Sequence, residues 1–229
     1  MWGGFNVINS VVGSLADGSV GCDVASPLNP ASAKQYYNNK YKFIIRYIGR
    51  GEPSSFDDLT AEEGQAIVDA GLALGVVQHP RAPGWQPTGD LGTRFGAAAA
   101  SLSGEAGLPF GVTVWLDLEG VAGGTPAQNV IDYCNNWYAE VAAVGYVPGI
   151  YIGANPGLTA DQLYWDLHMA SYWRGGSSEA AGVPADIPHR GYQMVQRITG
   201  AGTTEFDTDT IKTDNFGGAA QWCVGVPVS

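Results

Sequence analysis

Residues 112–119 read Val112-Thr113-Val114-Trp115-Leu116-Asp117-Leu118-Glu119, a largely apolar run that ends in an acid pair. A run this short, rich in β-branched and aromatic residues, reads as a strand buried on both faces. Positions two apart on a strand share one face, with Cα atoms about 6.6 Å apart. Asp117 and Glu119 therefore point together toward whatever that strand end faces. Charge in such a place needs a partner, solvent or a function to offset desolvation. An Arg or backbone N–H groups would make the pair structural; an open cavity would make it the two-carboxyl arrangement of a hydrolase.

Working outward, seven more runs of the same kind are expected as strands at residues 21–25, 43–49, 72–78, 147–153, 168–173, 191–196 and 206–211. Helix signals lie between them. Thr60 followed by Glu63 opens an amphipathic stretch with Ile67, Val68 and Ala70 that Gly71 stops, a predicted capping box. An Ala-rich helix is predicted over 93–103. A third, over 126–144, carries Val130, Tyr133, Cys134, Trp137, Val141 and Val144 as an apolar stripe suited to core packing. Residues 159–162 suggest only a turn or two of helix, and 180–188 a loop interrupted by Pro.

Strands that alternate with helices imply parallel pairing through right-handed crossovers. Eight of them in a chain of 229 residues predict an α/β fold, a single (β/α)8 TIM-type barrel with short or eroded helices in its second half. The expected organisation is an N-terminal extension over 1–20, the barrel over 21–216 and a C-terminal tail over 217–229. A doubly wound open sheet is disfavoured, because no Gly-x-Gly-x-x-Gly follows the first strand and no phosphate loop is present.

Composition narrows the partners. Hydrophobic residues make up 45% of the chain and charged residues 14%, which suits a packed globule. The net charge is −11, and the 11 Lys and Arg form no cluster, so neither nucleic acid nor an anionic membrane is an expected partner. No stretch approaches the ~20 apolar residues of a membrane span, so no membrane insertion is expected. Residues 1–21 lack the charged and apolar segments of a secretory signal, and none is expected there. Cys22, Cys134 and Cys223 have neither metal-ligand nor disulfide-framework spacing and are expected as structural thiols. His79, His168 and His189 form no metal motif, so no metal and no cofactor is expected.

In a barrel of this class the functional face is built from the C-terminal strand ends. The residues collected there are Asp23 on the first strand, Arg46 and Tyr47 on the second, Gln78 and His79 on the third, Asp117 and Glu119 on the fourth. Tyr151 follows on the fifth, Tyr172 and Trp173 on the sixth, Gln193 and Gln196 on the seventh, Asp207 and Asp209 on the eighth. The eighth strand closes beside the first, so their acids are expected to share a pocket with Asp117 and Glu119. Cleaving a glycosidic bond needs one carboxylic acid to protonate the leaving oxygen and negative charge near an oxocarbenium-like carbon, and aromatic faces stack on sugar rings. Crowded carboxyls raise the pKa of at least one of them, which keeps a proton donor near neutral pH. Glu119, with the longer side chain, is the expected acid. Nucleophilic serine or cysteine chemistry is not supported: no Gly-x-Ser-x-Gly elbow exists, and Cys22 faces away from Asp23.

Gly21-Cys22-Asp23-Val24-Ala25, Asp117-Leu118-Glu119 and Phe206-Asp207-Thr208-Asp209 resemble the pattern of the family 25 glycoside hydrolases, the lysozyme-type muramidases. With Arg46-Tyr47-Ile48 and the stretch from Leu59-Thr60 to Ala70-Gly71-Leu72, the chain is more similar still to a bacterial relative of them. That relative is the glycoside-hydrolase-like barrel of the domain of unknown function 1906 family. The resemblance spans residues 21–216. It implies cleavage between N-acetylmuramic acid and N-acetylglucosamine in peptidoglycan, and hence an extracellular or cell-envelope setting. Glu119 becomes the general acid and Asp117 positions or stabilises the reacting group, with Asp23 and Asp207 as the floor of the pocket. The remaining substrate contacts would be Arg46, Tyr47, Gln78, His79, Tyr151, Tyr172, Trp173, Gln193 and Asp209. The substrate's own acetamido group would serve as nucleophile. Asp209 stands where the muramidase pattern often has an amide. The competing expectation is a barrel without activity that serves as a glycan-binding or structural component of the cell wall.

Overall fold

The computed structural model describes residues 7–53, 57–176, 181–197 and 206–226. Its sheet holds β1 (Ser10–Ser14), β2 (Val20–Val24), β3 (Phe43–Ile48), β4 (Ala73–Gln78), β5 (Thr113–Leu118), β6 (Val147–Ile152), β7 (Ser171–Arg174), β8 (Met194–Arg197), β9 (Phe206–Ile211) and β10 (Gln221–Gly225). Strands β2 to β9 close into an eight-stranded barrel, the class the sequence predicts. Neighbours from β2 through β8 pair in parallel.

The closing strand departs from the regular pattern. β9 runs antiparallel to both β8 and β2. The stretch from 198 to 205 is too short for a parallel crossover, which takes roughly a dozen residues or more, so the chain can only turn back. The reversal matters for the site: the start of β9, not its end, lies with the C-terminal ends of the other strands, and Asp207 is registered opposite Asp23.

Helices α1 (Pro30–Asn38), α2 (Ala61–Asp69), α3 (Gly89–Glu105), α4 (Ala127–Val144) and α5 (Ala160–Trp165) pack outside the barrel. α1 is absent from the sequence reading. Its signal is Asn29-Pro30-Ala31-Ser32, where the Asn29 side chain accepts from the Ala31 and Ser32 amides and Ser32 answers the Asn29 amide. At α2 the Thr60 cap forms as predicted, but the reciprocal half of the box does not. The Glu63 carboxylate is committed instead to Arg46 and the Leu28 amide. α3 and α4 approach closely at Gly92 and Gly96, where a Cβ would lie 2.2 Å from the Tyr133 carbonyl oxygen and 2.7 Å from that of Trp137.

The core has two parts. One fills the space between strands and helices. The other fills the barrel with Phe43, Ile45, Val77, Trp115, Trp173, Met194, Ile211 and Trp222. Gly21 and Gly149 make room for it, since a Cβ there would meet Phe43 at 2.4 Å and Trp115 at 2.5 Å. β1 and β10 pair with each other, and β10 reaches β4 at Leu74 and β5 through the Thr113 hydroxyl. This wedges Trp222 into the N-terminal end of the barrel, its ring centroid 4.5 Å from that of Phe43. The three cysteines are buried free thiols.

Candidate active site

The pleat of each strand decides which strand-end residues meet. Inward positions continue the barrel filling upward: Asp23 above Gly21, Tyr47 above Ile45, Asp117 above Trp115, Tyr151 above Gly149, and Gln196 above Met194. Together with Glu119, Trp173 and Asp207 these line one cavity of about 310 Å³ at the barrel mouth. That volume lies at the lower end of small-molecule sites. Val77, Pro80, Ala154, Gly175 and Gly176 complete the lining, and no basic side chain is among the described residues that form it.

Two glycines hold the cavity open. A Cβ on Gly175 would lie 2.5 Å from the Tyr151 ring, and one on Gly153 would lie 2.3 Å from Glu119 Oε2 and 2.6 Å from Glu119 Cβ. Gly153→Ala is therefore expected to push Glu119 off its position. The carboxyl resonance of Glu119 should shift and titrate differently in this variant while the melting temperature changes little. An unchanged resonance would show that the site absorbs the methyl group.

Burial and mutual repulsion dominate the electrostatics. Asp117 is 8% exposed, and burial, then the neighbouring Glu119 and Asp23 carboxylates, push its pKa well above the ordinary value. One of its oxygens finds no hydrogen-bond partner among the described residues. Burial also raises Glu119, which sits nearer the mouth. Asp23 is raised by burial too, although hydrogen bonds oppose the shift: Gln196 Nε2 donates to Oδ2 at 2.8 Å and Tyr47 Oη to Oδ1 at 3.1 Å. Tyr151 Oη in turn donates to Gln196 Oε1 at 3.0 Å. The network holds its carboxyls without a cation, which favours retained protons. Among the described residues, no group of three or more His, Cys, Asp or Glu side chains is arranged to hold a metal ion.

The structure brings Asp23, Asp117, Glu119, Asp207, Tyr47, Tyr151 and Trp173 together. Trp173 is only 1% exposed, so it forms floor rather than an open stacking face. His79 lies behind Tyr47, its ring stacked on it at 4.9 Å and its Nε2 3.1 Å from Asp58 Oδ1. Asp209 is wholly buried beneath the cavity.

His79 and Asp209, both expected as substrate contacts, therefore do not line the cavity, and four further expected contacts are elsewhere because each occupies an outward pleat position. Arg46 has no exposure and is bound to Glu63 and to the carbonyls of Val24, Ala25 and Asp57. Gln78 spans the Gly49 and Phe95 carbonyls and accepts from Trp137 Nε1. Tyr172 donates to the Leu163 and Met169 carbonyls. Gln193 braces the Ala170 carbonyl and Asp214. Gln196, left out of the expected substrate contacts, lines the cavity; its inward register, three residues past outward Gln193, was the available signal.

Comparison with known proteins gives the same architecture. The family model described as the Rv2525c-like, glycoside hydrolase-like domain matches residues 34–215. The Tat-secreted protein Rv2525c of Mycobacterium tuberculosis, solved in complex with HEPES, superposes with a TM-score of 0.66 at 16% identity, over 87% of this chain and 98% of that one. A family 25 glycosyl hydrolase from Bacillus anthracis gives a TM-score of 0.59 at 13% identity, over 87% and 91%. The bacterial lysozyme from Streptomyces coelicolor gives 0.57 at 16% identity, over 86% and 93%. No curated protein matches the chain by sequence.

Proposed function

We propose, from the premise that the chain belongs to the Rv2525c-like, glycoside hydrolase-like domain family, that it is a muramidase that cleaves peptidoglycan glycan strands. The observation that carries the reading is Glu119 at the mouth of a carboxyl cavity with no basic side chain among the described residues that line it, beside the deeply buried Asp117. A carboxyl group raised by burial keeps its proton where an exposed one has lost it. It can therefore protonate a leaving glycosidic oxygen.

In this reading Glu119 is the general acid. The Asp117 oxygen without a partner accepts from the substrate's acetamido N–H and orients that group to attack the anomeric carbon. Asp23 and Asp207 supply negative charge below the developing oxocarbenium ion, and Tyr47 and Tyr151 form the walls. Peptidoglycan places the protein outside the cytoplasm, a setting consistent with a Tat-secreted relative and a bacterial lysozyme among its structural neighbours. Among the described residues, no helix is long and apolar enough to cross a membrane.

The deciding experiment measures turbidity loss and reducing-end release from purified peptidoglycan. Because the acid must be protonated, cleavage is expected to persist above the usual carboxylate range and to fall as pH rises through the raised pKa of the Glu119 carboxyl set. A rate that grows steadily with pH would reverse the sign and overturn the assignment of Glu119 as acid. The second reading, an inactive barrel that captures glycan for the cell wall, is favoured by the small cavity, which has room for about one sugar ring. Glycan binding without any reducing ends would establish it.

A further inference from the structure

Directly below the cavity, Asp209 has no exposure, and Trp173 Nε1 donates to its Oδ1 at 2.9 Å. Its Oδ2 finds no N–H or hydroxyl donor among the described residues. The strand register sets Asp209 opposite Gly21 on one side and Gln196 on the other, two positions along from the Asp23–Asp207 pair, so it lies under Asp23 where Gly21 offers no side chain. The group left for it to bond is the Asp23 carboxyl. Two carboxyls in contact inside a barrel cannot both be ionised without a cation, and no basic side chain is among the described residues lining the site.

We propose that Asp209 and Asp23 share a proton as a carboxylic acid–carboxylate pair, and that Asp209 is a positioning residue, donating its O–H to Asp23 as a side-chain amide would. The choice of donor follows from the partners. Asp23 already accepts from Tyr47 and Gln196 and is the better-stabilised anion, whereas Trp173 is the one N–H donor to Asp209 among the described residues. The groups within electrostatic reach of Asp209 are Asp23 and, through the strand, Cys22 on β2, Tyr151 on β6, Trp173 on β7, Gln196 on β8 and Asp207 on its own strand; all are neutral or acidic. Burial and then the charge of Asp23 push Asp209 well above the usual carboxylate range. The fixed O–H then holds Asp23 in register beneath the reacting sugar; that last consequence rests on the glycosidase reading, while the shared proton does not.

Infrared difference spectroscopy of the wild-type chain against Asp209→Asn and Asp209→Leu tests the proton directly. At neutral pH each wild-type-minus-variant difference should show one protonated carboxylic acid carbonyl stretch, separate from those that Asp117 and Glu119 contribute to every form. Folding stability should follow. An acid with a raised native pKa stabilises the fold at low pH and loses that contribution as pH rises, so relative to Asp209→Asn the wild-type folding constant should fall by up to about tenfold per pH unit above pH ~4. Asp209→Asn, which keeps a donor, should retain kcat and KM within a few-fold. Asp209→Leu, which removes it, should lower kcat more than KM and move the pH profile. A difference spectrum without that band, or a stability gap that does not change with pH, overturns the shared proton whatever the activity. Equal kcat in the Asn and Leu variants overturns the positioning role. Absence of cleavage in every form, with the acid band present, would count against the glycosidase reading alone.

Discussion

Glu119→Gln is expected to lower peptidoglycan cleavage by about 100- to 10,000-fold, the usual worth of a general acid, while the melting temperature stays within a degree or two of wild type. The amide keeps the shape of the side chain, and the half-buried site near the cavity mouth imposes no new packing. What it cannot do is release a proton to the leaving oxygen. The amide keeps the shape and much of the hydrogen bonding of the carboxylic acid, so binding of glycan fragments should survive better than turnover. Reducing-end release within about threefold of wild type would remove Glu119 from the chemistry and leave Asp117 as the acid to test.

The second large effect is expected far from any substrate. Arg46→Met should cost about 3–5 kcal/mol of folding stability, because it strands the Glu63 carboxylate in the interior with its guanidinium partner gone. A loss of that size is a large part of the ~5–15 kcal/mol that holds a typical domain folded. Arg46 also satisfies carbonyls of the β2–α1 connection and of Asp57, so the damage should spread to the cavity rim. Urea unfolding measures it, and the double change Arg46→Met with Glu63→Leu should recover most of the loss by removing both charges together. A single variant with the wild-type unfolding midpoint and weaker glycan binding would instead make Arg46 a substrate contact.

Such a contact was the expectation from sequence, and its failure has a single geometric origin. Applied to Asp117 and Glu119, and to Cys22 and Asp23, the two-residue pleat placed each side chain on the face where the structure has it. Arg46, Gln78, Tyr172 and Gln193 lie as near a strand end, but nearness alone does not say which face a side chain takes. Each sits one position from an inward residue, Arg46 beside Tyr47, Gln78 beside Val77, Tyr172 beside Trp173 and Gln193 beside Met194, and so faces outward, the first three toward the helices and Gln193 toward the loops of Ala170 and Asp214. Polar residues in that layer look like functional candidates because they too are buried and hydrogen-bonded.

By itself the sequence determined the elements whose cause is local. Eight apolar runs bounded by turn residues became the eight barrel strands, and the Thr60 cap and the Val130–Val141 stripe became helices, because periodicity and capping act within a few residues. Asp117 and Glu119 were legible for the same reason. Only the tertiary structure decided the rest. Reversal of β9 brings Asp207 rather than Ile211 to the mouth, β1 and β10 seal the opposite end with Trp222, and Asp209 comes to rest against Asp23. These depend on which strands become neighbours and in what register, a property of ring closure over nearly two hundred residues of chain. No local pattern carries it, because the free energy that selects it comes from packing side chains that are distant in sequence.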